Sequence, residues 1–242
     1  MAQLFAGTSG WAYPSWKPAF YPEKLAQKKF LSYYTTRLNT VEVNFTFRQL
    51  VKETTIQNWL AESPTHFRFG VKAHQVITHI KRLKGTQDFL PRFLATIEPL
   101  AAAGKLGPVL FQLPPNLKSD PVLLKDFLSI LPRTVPAAFE FRHESWFADA
   151  TWDALRSAGV ALCVAETETR TTPDVVTGPF AYYRFRKPTY TGEERRAMVE
   201  RMQQHLAEGR NVFAFFKHEE TPEGALYAVE LLQDVSGGVG AR

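Results

Sequence analysis

The sequence contains a single cysteine, Cys163, among 242 residues. One cysteine excludes an internal disulfide and any metal site built on two thiolates. The sequence also lacks an uncharged apolar run of about 20 residues, which is the length that a membrane-spanning helix needs. Its first residues show no basic stretch ahead of an apolar run, so we do not expect a secretory signal. These absences predict a cytoplasmic protein with no membrane contact.

Linkers and several familiar catalytic motifs are absent as well. No glycine- or serine-rich linker divides the chain, so we expect one domain over residues 1–235, followed by a flexible tail over residues 236–242. The turn 7–10, Gly-Thr-Ser-Gly, lacks the spacing of a dinucleotide-binding fingerprint and leads into Trp11 instead of a helix. This disfavours a doubly wound open sheet. A nucleophile elbow is missing too, which disfavours serine hydrolases of that kind.

What the sequence does contain is a repeat of short β-rich runs, separated by helical patterns, at about 30 residues, the length of a βα unit. Leu90, Phe93 and Ile97 exemplify the apolar spacing of the helical segments. Residues 167–179 carry no such stripe, so the sixth helix should be short or missing. Eight units predict an α/β protein with a single (β/α)8 TIM-type barrel. The predicted strands are Leu4–Thr8, Thr40–Phe45, Arg68–Ala73, Pro108–Leu113, Ala137–Arg142, Ala161–Glu166, Ala181–Arg186 and Val212–Lys217.

The ends of these predicted strands are unusually polar. In a barrel of this type the functional side chains lie at the carboxyl ends of the strands. Side chains alternate along a strand, so Glu42 and Asn44 share one face, and Glu140 and Arg142 share another. The apolar residues between them must face the helices, which directs the polar set toward the barrel interior. This set comprises Glu42, Asn44, Lys72, His74, Gln112, Glu140, Arg142, Glu166, Arg184, Arg186, Lys217 and His218.

The charges of this set indicate an anionic ligand. The chain as a whole carries a formal charge of +5. At the strand ends, five lysines and arginines face only three glutamates, and unpaired buried charges are costly. A phosphate or a carboxylate would balance the surplus. In the loop after the first strand, Trp11 and Tyr13 are placed to stack on a ring.

Three functions are compatible with these residues. The first is an enzyme that binds, and acts on, a small anionic ligand, phosphorylated or sugar-like. A glutamate would act as general base, a lysine or arginine would stabilise developing charge, and a histidine would move protons. The predicted catalytic residues are Glu42, Lys72, Glu140 and Glu166, and the predicted proton shuttle is His74 or His218.

The second function is a barrel that binds nucleic acid or acts as a metal-dependent phosphodiesterase, because basic and aromatic residues suit phosphates and unpaired bases. The third is a non-catalytic barrel that binds a metabolite or a protein. The sequence lacks a His-x-His pair and has few aspartates at strand ends, so a divalent metal is not favoured, no metal ligand is assigned and the cofactor stays unknown. The residues available to a metal would be His74, Glu140, His143, Glu166 and His218.

Blocks of aromatic and polar residues recur in a distinctive order along the chain. They begin at Gly7–Tyr13 and continue with Asn39–Asn44, Phe69–Ala73 followed by Thr78 and His79, Leu106–Pro115, and Glu140–Trp146. Together they resemble the YecE-like family, a domain of unknown function, over nearly the whole chain. The resemblance implies a TIM-type barrel and brings no reaction with it.

Two pairs of residues depart from that family's usual pattern. Arg48 and Gln49 stand where the family typically has Tyr-Arg, and Lys217 and His218 stand where many members have Asn-Asn. Part of the site should therefore differ in this branch of the family.

Overall fold

The computed structural model describes residues 1–217 and 221–237. Within these ranges eight parallel strands form one sheet in the order β1-β8-β7-β6-β5-β4-β3-β2. This arrangement confirms the (β/α)8 TIM-type barrel. The strands are β1 (Leu4–Thr8), β2 (Thr40–Val43), β3 (Arg68–Lys72), β4 (Leu106–Gln112), β5 (Ala137–Glu140), β6 (Ala161–Glu166), β7 (Phe180–Phe185) and β8 (Asn211–Phe216).

Seven helices surround the sheet in the part of the chain that the structure describes. Residues 167–179, between β6 and β7, contain no helix, which confirms the prediction for the sixth unit. None of the described helices is long and apolar enough to cross a bilayer. The helices are α1 (Phe30–Tyr34), α2 (Glu53–Ala61), α3 (Phe89–Ala102), α4 (Pro121–Ile130), α5 (Asp149–Ala158), α6 (Gly192–Ala207) and α7 (Glu223–Gly237).

Local sequence signals account for several of these boundaries. The Asp120 carboxylate accepts a hydrogen bond from the backbone of Leu123 and caps α4, with Pro121 in its first turn. A capping box between Thr191 and Glu194 starts α6. At the carboxyl end, α7 includes the first two residues of the predicted tail, and residues 238–242 lie outside the described residues.

The chain has two apolar cores, one on each side of the sheet. The larger core fills the space between strands and helices. The smaller one fills the barrel interior with Phe5, Leu110, Cys163, Phe213 and Phe215, all buried. Burial raises the pKa of the Cys163 thiol well above its usual range, so this cysteine behaves as a small apolar side chain.

The barrel closes between β1 and β2 through side chains. Asn39 Oδ1 accepts a hydrogen bond from the Ala6 N–H at 2.9 Å, and its Nδ2 donates to the Leu4 carbonyl at 2.8 Å. The side-chain amide thus replaces a backbone ladder here. The strands approach so closely that a Cβ on Gly7 would lie 1.9 Å from the carbonyl oxygen of Thr40, which only glycine avoids.

Candidate functional site

Buried charged side chains at the carboxyl end of the barrel form one ion-pair network, which we call the inner cluster. Arg184 on β7 lies at its centre. Its Nη2 donates to Glu42 Oε1 at 2.7 Å and its Nη1 donates to Glu140 Oε2 at 2.6 Å. The three side chains are at most 6% exposed. The inner cluster consists of Ser9, Glu42, Gln112, Glu140, Tyr182, Arg184 and Arg186.

The Glu42 carboxylate accepts hydrogen bonds from three further groups. The Tyr182 hydroxyl donates to Oε2 at 2.6 Å, and the Ser9 hydroxyl donates to Oε1 at 2.8 Å. Arg186 Nη2 lies 2.6 Å from Ser9 Oγ and 3.3 Å from Glu42 Oε1. Both oxygens of Glu42 are thereby satisfied, as a fully buried carboxylate requires.

Glu140 is held in a similar way on the opposite side of Arg184. Gln112, its neighbour on β4, donates from Nε2 to both carboxylate oxygens, at 3.0 and 2.9 Å. The backbone register places these two residues side by side at the ends of adjacent strands. Gln112 therefore orients Glu140 toward Arg184.

These contacts determine the protonation states of the inner cluster. Burial alone would raise the pKa of Glu42, but the charges of Arg184 and Arg186 outweigh it and hold the pKa well below its usual range. The pKa of Glu140 is lowered in the same way, against burial, by Arg184 and Gln112. Burial and the Glu42 charge raise the pKa of Tyr182. A carboxylate whose pKa is lowered is a weaker base, which disfavours the predicted general-base role of both glutamates.

Next to the inner cluster lies a second group of residues, Phe47, Lys72, His79 and Arg142, which we call the rim. Lys72 Nζ lies 4.3 Å from the centroid of the Phe47 ring. It has no hydrogen bond or ion pair with any described residue. Burial, followed by repulsion from Arg184, lowers the pKa of Lys72 to about 8. This lysine is thus a cation without an acidic partner.

The other rim residues are also short of negative charge. Arg142 follows β5, is half-buried and forms no ion pair with a described residue. Burial lowers the pKa of His79, and the nearby charges of Lys72 and Arg142 lower it further. The imidazole is therefore neutral near pH 7, and it lies edge-on to Phe47 with 4.9 Å between ring centroids.

The segment that carries His79 has an irregular backbone. It forms one turn of π-helix, Val76–Ile80, after β3. Two non-glycine residues that follow it, Arg82 and Leu83, have φ values of 50° and 71°. Both the π-helical turn and the left-handed conformations are uncommon, and such features concentrate at functional sites.

Glu166 and Lys217, both predicted site residues, lie outside the inner cluster and the rim. Glu166 pairs with Lys187 at 2.8 Å, and Lys187 also pairs with Glu194 at 2.7 Å. Lys217 lines a cavity of about 280 Å³ together with Lys187 and Tyr190. His218, the remaining candidate on this side, lies outside the described residues.

His74 and His143, which were considered for proton transfer or metal binding, accept hydrogen bonds from backbone N–H groups. His74 Nδ1 accepts from the Val76 N–H at 3.1 Å, and His143 Nδ1 accepts from the Ser145 N–H at 3.2 Å. His74 also packs against Phe89. Across residues 1–217 and 221–237, no three His, Cys, Asp or Glu side chains are grouped so that they could hold a metal. The structure therefore does not bring together the described candidates for a metal, His74, Glu140, His143 and Glu166, while His218 lies outside the described residues.

The predicted aromatic and amide residues Trp11, Tyr13 and Asn44 line a separate cleft of about 290 Å³, which we call the ring cleft. Trp11 meets Trp59 of α2 edge-on, with 5.7 Å between ring centroids. Asn44 Oδ1 is buried and has no hydrogen-bond partner among the described residues. The cleft is completed by Gly10, Ala12, Val43, Phe45, Thr55 and Trp59.

Ser9, Phe47, His79 and Tyr182 are site residues that the sequence prediction did not include. For Tyr182 the signal was available, because it alternates with Arg184 and Arg186 on one face of β7. His79 stands within one of the blocks that resemble the family. Ser9 and Phe47 lie just beyond β1 and β2, where strand alternation no longer applies.

The closed parallel barrel, with an ion-pair network and unpaired cations at the carboxyl ends of its strands, defines a TIM-type barrel protein whose candidate site lies where this fold places its sites. The family is established by comparison with known sequences. A family model described as "Protein of unknown function DUF72" matches residues 5–240, and the chain belongs to this family. The resemblance inferred from the sequence is confirmed.

Relatives and solved structures agree with this assignment. "UPF0759 protein YunF" of Bacillus subtilis (strain 168) is 29% identical over 151 residues, 60% of this chain and 52% of that protein. "UPF0759 protein YecE" of Escherichia coli (strain K12) is 29% identical over 146 residues, 60% of this chain and 50% of that protein. In these matches the chain spans about half the length of the curated relatives.

The fold itself has been solved in other members of the family. The crystal structure of a DUF72 family protein from Thermotoga maritima MSB8 has a TM-score of 0.85 and 26% identity, covering 97% of this chain and 99% of that one. A DUF72 family protein from Enterococcus faecalis V583 has a TM-score of 0.77 at 17% identity, covering 98% of both chains, and shows the shared fold alone.

Proposed function

We propose that this protein binds, and acts on, a small anionic ligand, phosphorylated or sugar-like, at the rim. The observation that carries the proposal is the unpaired ammonium of Lys72, which lies among Arg184, Arg186 and Arg142. In the inner cluster two arginines balance two glutamates, so its net charge is zero. Lys72 and Arg142 then add two positive charges that form no ion pair with a described carboxylate, although the charges of Glu42 and Glu140 act on Lys72 from a distance. An anion is the missing partner.

The groups of the rim also suit proton transfer to and from such a ligand. Because the pKa of Lys72 is about 8, this lysine can lose and regain a proton near neutral pH. The neutral imidazole of His79 is a second candidate acceptor. These two residues replace the glutamates of the inner cluster as candidate acid and base, while the inner cluster keeps the barrel mouth in shape.

The proposal takes precedence over the metal-dependent alternative because the described histidines considered as ligands accept hydrogen bonds from the backbone. It retains the cytoplasmic location expected from the sequence, since one cysteine provides no internal disulfide that would need an oxidising compartment.

The test compares two lysines of the barrel mouth by titration calorimetry with inorganic phosphate and with sulfate. Lys72→Met removes the unpaired cation, and we expect both anions to bind at least about tenfold more weakly. Lys187→Met is the matched control, because Lys187 already has two carboxylate partners. Its anion affinity should stay within about twofold of that of the wild type. Equal affinities in the wild type and the Lys72 variant, or no anion binding by the wild type, would overturn the proposal.

A further inference from the structure

We infer that the ring cleft is a second subsite for the same ligand and takes a flat aromatic or heteroaromatic ring that carries an N–H or O–H donor. The inference rests on the proposed function, since it names the class of anion that the rim would bind. The ligand would place its anionic group against Lys72 and its ring between the aromatic side chains of the cleft.

The walls and the size of the cleft suit a ring. Trp11, Tyr13, Phe45 and Trp59 supply aromatic walls around a volume of about 290 Å³. An apolar cavity of about 150 Å³ already holds a benzene ring. The volume therefore accommodates a single ring or a fused pair. Aromatic side chains bind such rings by offset stacking and by edge contacts.

One polar atom beside the cleft lacks a partner among the described residues. Asn44 lines the cleft, and its Oδ1 is buried without a hydrogen bond to a described residue. A carbonyl oxygen buried without a partner is destabilising, and such groups in native proteins call for an explanation. A donor on the bound ring would supply the missing hydrogen bond after a flip of the amide, which exchanges the buried oxygen with the nitrogen.

The cleft and the rim meet at one short turn. Phe45–Phe47 forms a single turn of 3-10 helix after β2. Phe45 lines the cleft, while Phe47 lies beneath the Lys72 ammonium. The hydroxyl of Thr46, between them, donates to the carbonyl of Lys72 at 2.7 Å, which fixes the turn to β3. A ligand that spans both subsites would therefore meet a rigid spacing.

Phe45 is an exposed aromatic side chain that lines the cleft. Its side chain is 47% exposed, whereas Val43, which precedes the turn on β2, is 1% exposed. Exposed aromatic surface beside a cleft is a feature of binding sites, because a ligand can remove that surface from water. A bound ring would cover Phe45.

The experiment separates the two subsites with matched probes, again by titration calorimetry. Phenyl phosphate is compared with inorganic phosphate, and we expect it to bind the wild type about tenfold more tightly. Phe45→Ser should reduce this advantage to about twofold while leaving inorganic phosphate unchanged. Val122→Ser is the control, because Val122 is an apolar residue of α4, 68% exposed and away from the cleft. It should keep the full advantage.

A second pair of probes tests the role of Asn44. Indole has a ring N–H and 1-methylindole does not, so the wild type should prefer indole about fivefold through one hydrogen bond. Asn44→Ala should lose this preference while its melting curve stays cooperative. A preference that persists in Asn44→Ala would contradict the assigned contact.

The outcomes distinguish the inference from the proposed function. If inorganic phosphate binds but phenyl phosphate has no advantage, or Phe45→Ser keeps the full advantage, the ring cleft is not a subsite and the proposed function stands. If neither phosphate binds the wild type, the proposed function fails, and so does the inference that one ligand spans both groups. Indole binding that Phe45→Ser weakens would then leave a ring site without an anion.

Discussion

The inner cluster and the rim are neighbours, but the charges of the inner cluster are paired with each other whereas the cations of the rim are not. In the inner cluster, Glu42 accepts from Arg184 at 2.7 Å and from Tyr182 at 2.6 Å. At the rim, the Lys72 ammonium lies over the face of Phe47 at 4.3 Å and forms no ion pair with a described residue. Glu42 on β2 is in register with Gly70 on β3. Lys72 lies two residues after Gly70 on β3, nearer the barrel mouth. The paired charge of Glu42 and the unpaired charge of Lys72 are thus only two residues apart in strand register.

The difference distinguishes structural charges from binding charges. A buried ion pair whose remaining hydrogen bonds are satisfied can hold a shape, but its groups have little left to offer a ligand. A partly buried cation that has no carboxylate partner is poorly stabilised unless an anion binds next to it. We therefore propose that the inner cluster is the scaffold of the barrel mouth and that the rim is its binding surface.

The largest expected effect is on stability, from Glu42→Gln. This change removes a carboxylate from Arg184 and Arg186 and leaves their buried charge undercompensated. We expect the free energy of unfolding to fall by about 3 to 5 kcal/mol, as measured by urea denaturation. Asp153→Asn, which removes an exposed pair with Arg156, is the control and should cost less than about 0.5 kcal/mol. A loss below about 1 kcal/mol for Glu42→Gln would contradict the scaffold role.

At the rim we expect a mutation to change the free energy of unfolding in the opposite direction. Lys72→Met removes a largely buried charge that lacks a partner and replaces it with an apolar side chain of similar length. The free energy of unfolding should stay the same or rise by about 1 kcal/mol at pH 7, even though anion binding is lost. Clear destabilisation by Lys72→Met would show that Lys72 is a structural charge like those of the inner cluster.

The pH dependence of anion binding follows from the lowered pKa of Lys72. Because that pKa is about 8 instead of 10.5, Lys72 loses its charge as the pH rises through 8 to 9, and sulfate affinity should fall over this range. Sulfate is the suitable probe, since its own charge is constant there. Lys72→Arg keeps a full charge, so calorimetric titrations of this variant from pH 7 to pH 9.5 should show a flat profile. A matching decline in the arginine variant would assign the effect to another group.

The lowered pKa of Lys72 also predicts that the free energy of unfolding of the unliganded protein increases at alkaline pH. Between pH 8 and 10.5 the unfolded state holds the Lys72 proton that the folded state has released. The unfolded state then binds more protons, so this group makes the folded state more stable as the pH rises. Urea denaturation from pH 7.5 to pH 10 should show the rise in the wild type relative to Lys72→Met. Parallel curves would contradict a lowered pKa.

The smallest effect is expected for Glu166→Gln. Glu166 belongs to a partly exposed pair with Lys187, and Lys187 keeps Glu194 as a partner after the change. The free energy of unfolding should change by less than about 1 kcal/mol, and anion affinity should stay within about twofold. A strong loss of anion binding would move the site toward Glu166, as the sequence had suggested.

Most of the fold could be predicted from the sequence, because the βα repeat is a local pattern of residues. Both ends of β1 and β6 were predicted correctly. The prediction for β2 ran two residues too far, since Phe45 is β-favouring in isolation but belongs to the turn that Thr46 ties to Lys72. Tertiary contacts decided that boundary.

The sequence indicated which polar side chains share the inner face of the strands, but not which of them contact each other. Alternation along the strands located Glu42, Glu140 and Arg184 on the inner face, where the structure also has them. It could not show which charges pair, because Glu42 and Arg184 are 142 residues apart in the chain. Because Glu42 and Glu140 both pair with Arg184, we propose Lys72 in their place as a candidate base.

The central claim is that Lys72 is a charge whose partner is a bound anion. The most direct measurement is the titration of the Lys72 ammonium by NMR with lysine labelled at its ε-carbon, assigned with the Lys72→Arg variant. We predict a pKa near 8 in the free protein and an upward shift when sulfate saturates the site. A pKa that is ordinary for lysine, or one that sulfate leaves unchanged, would contradict the account.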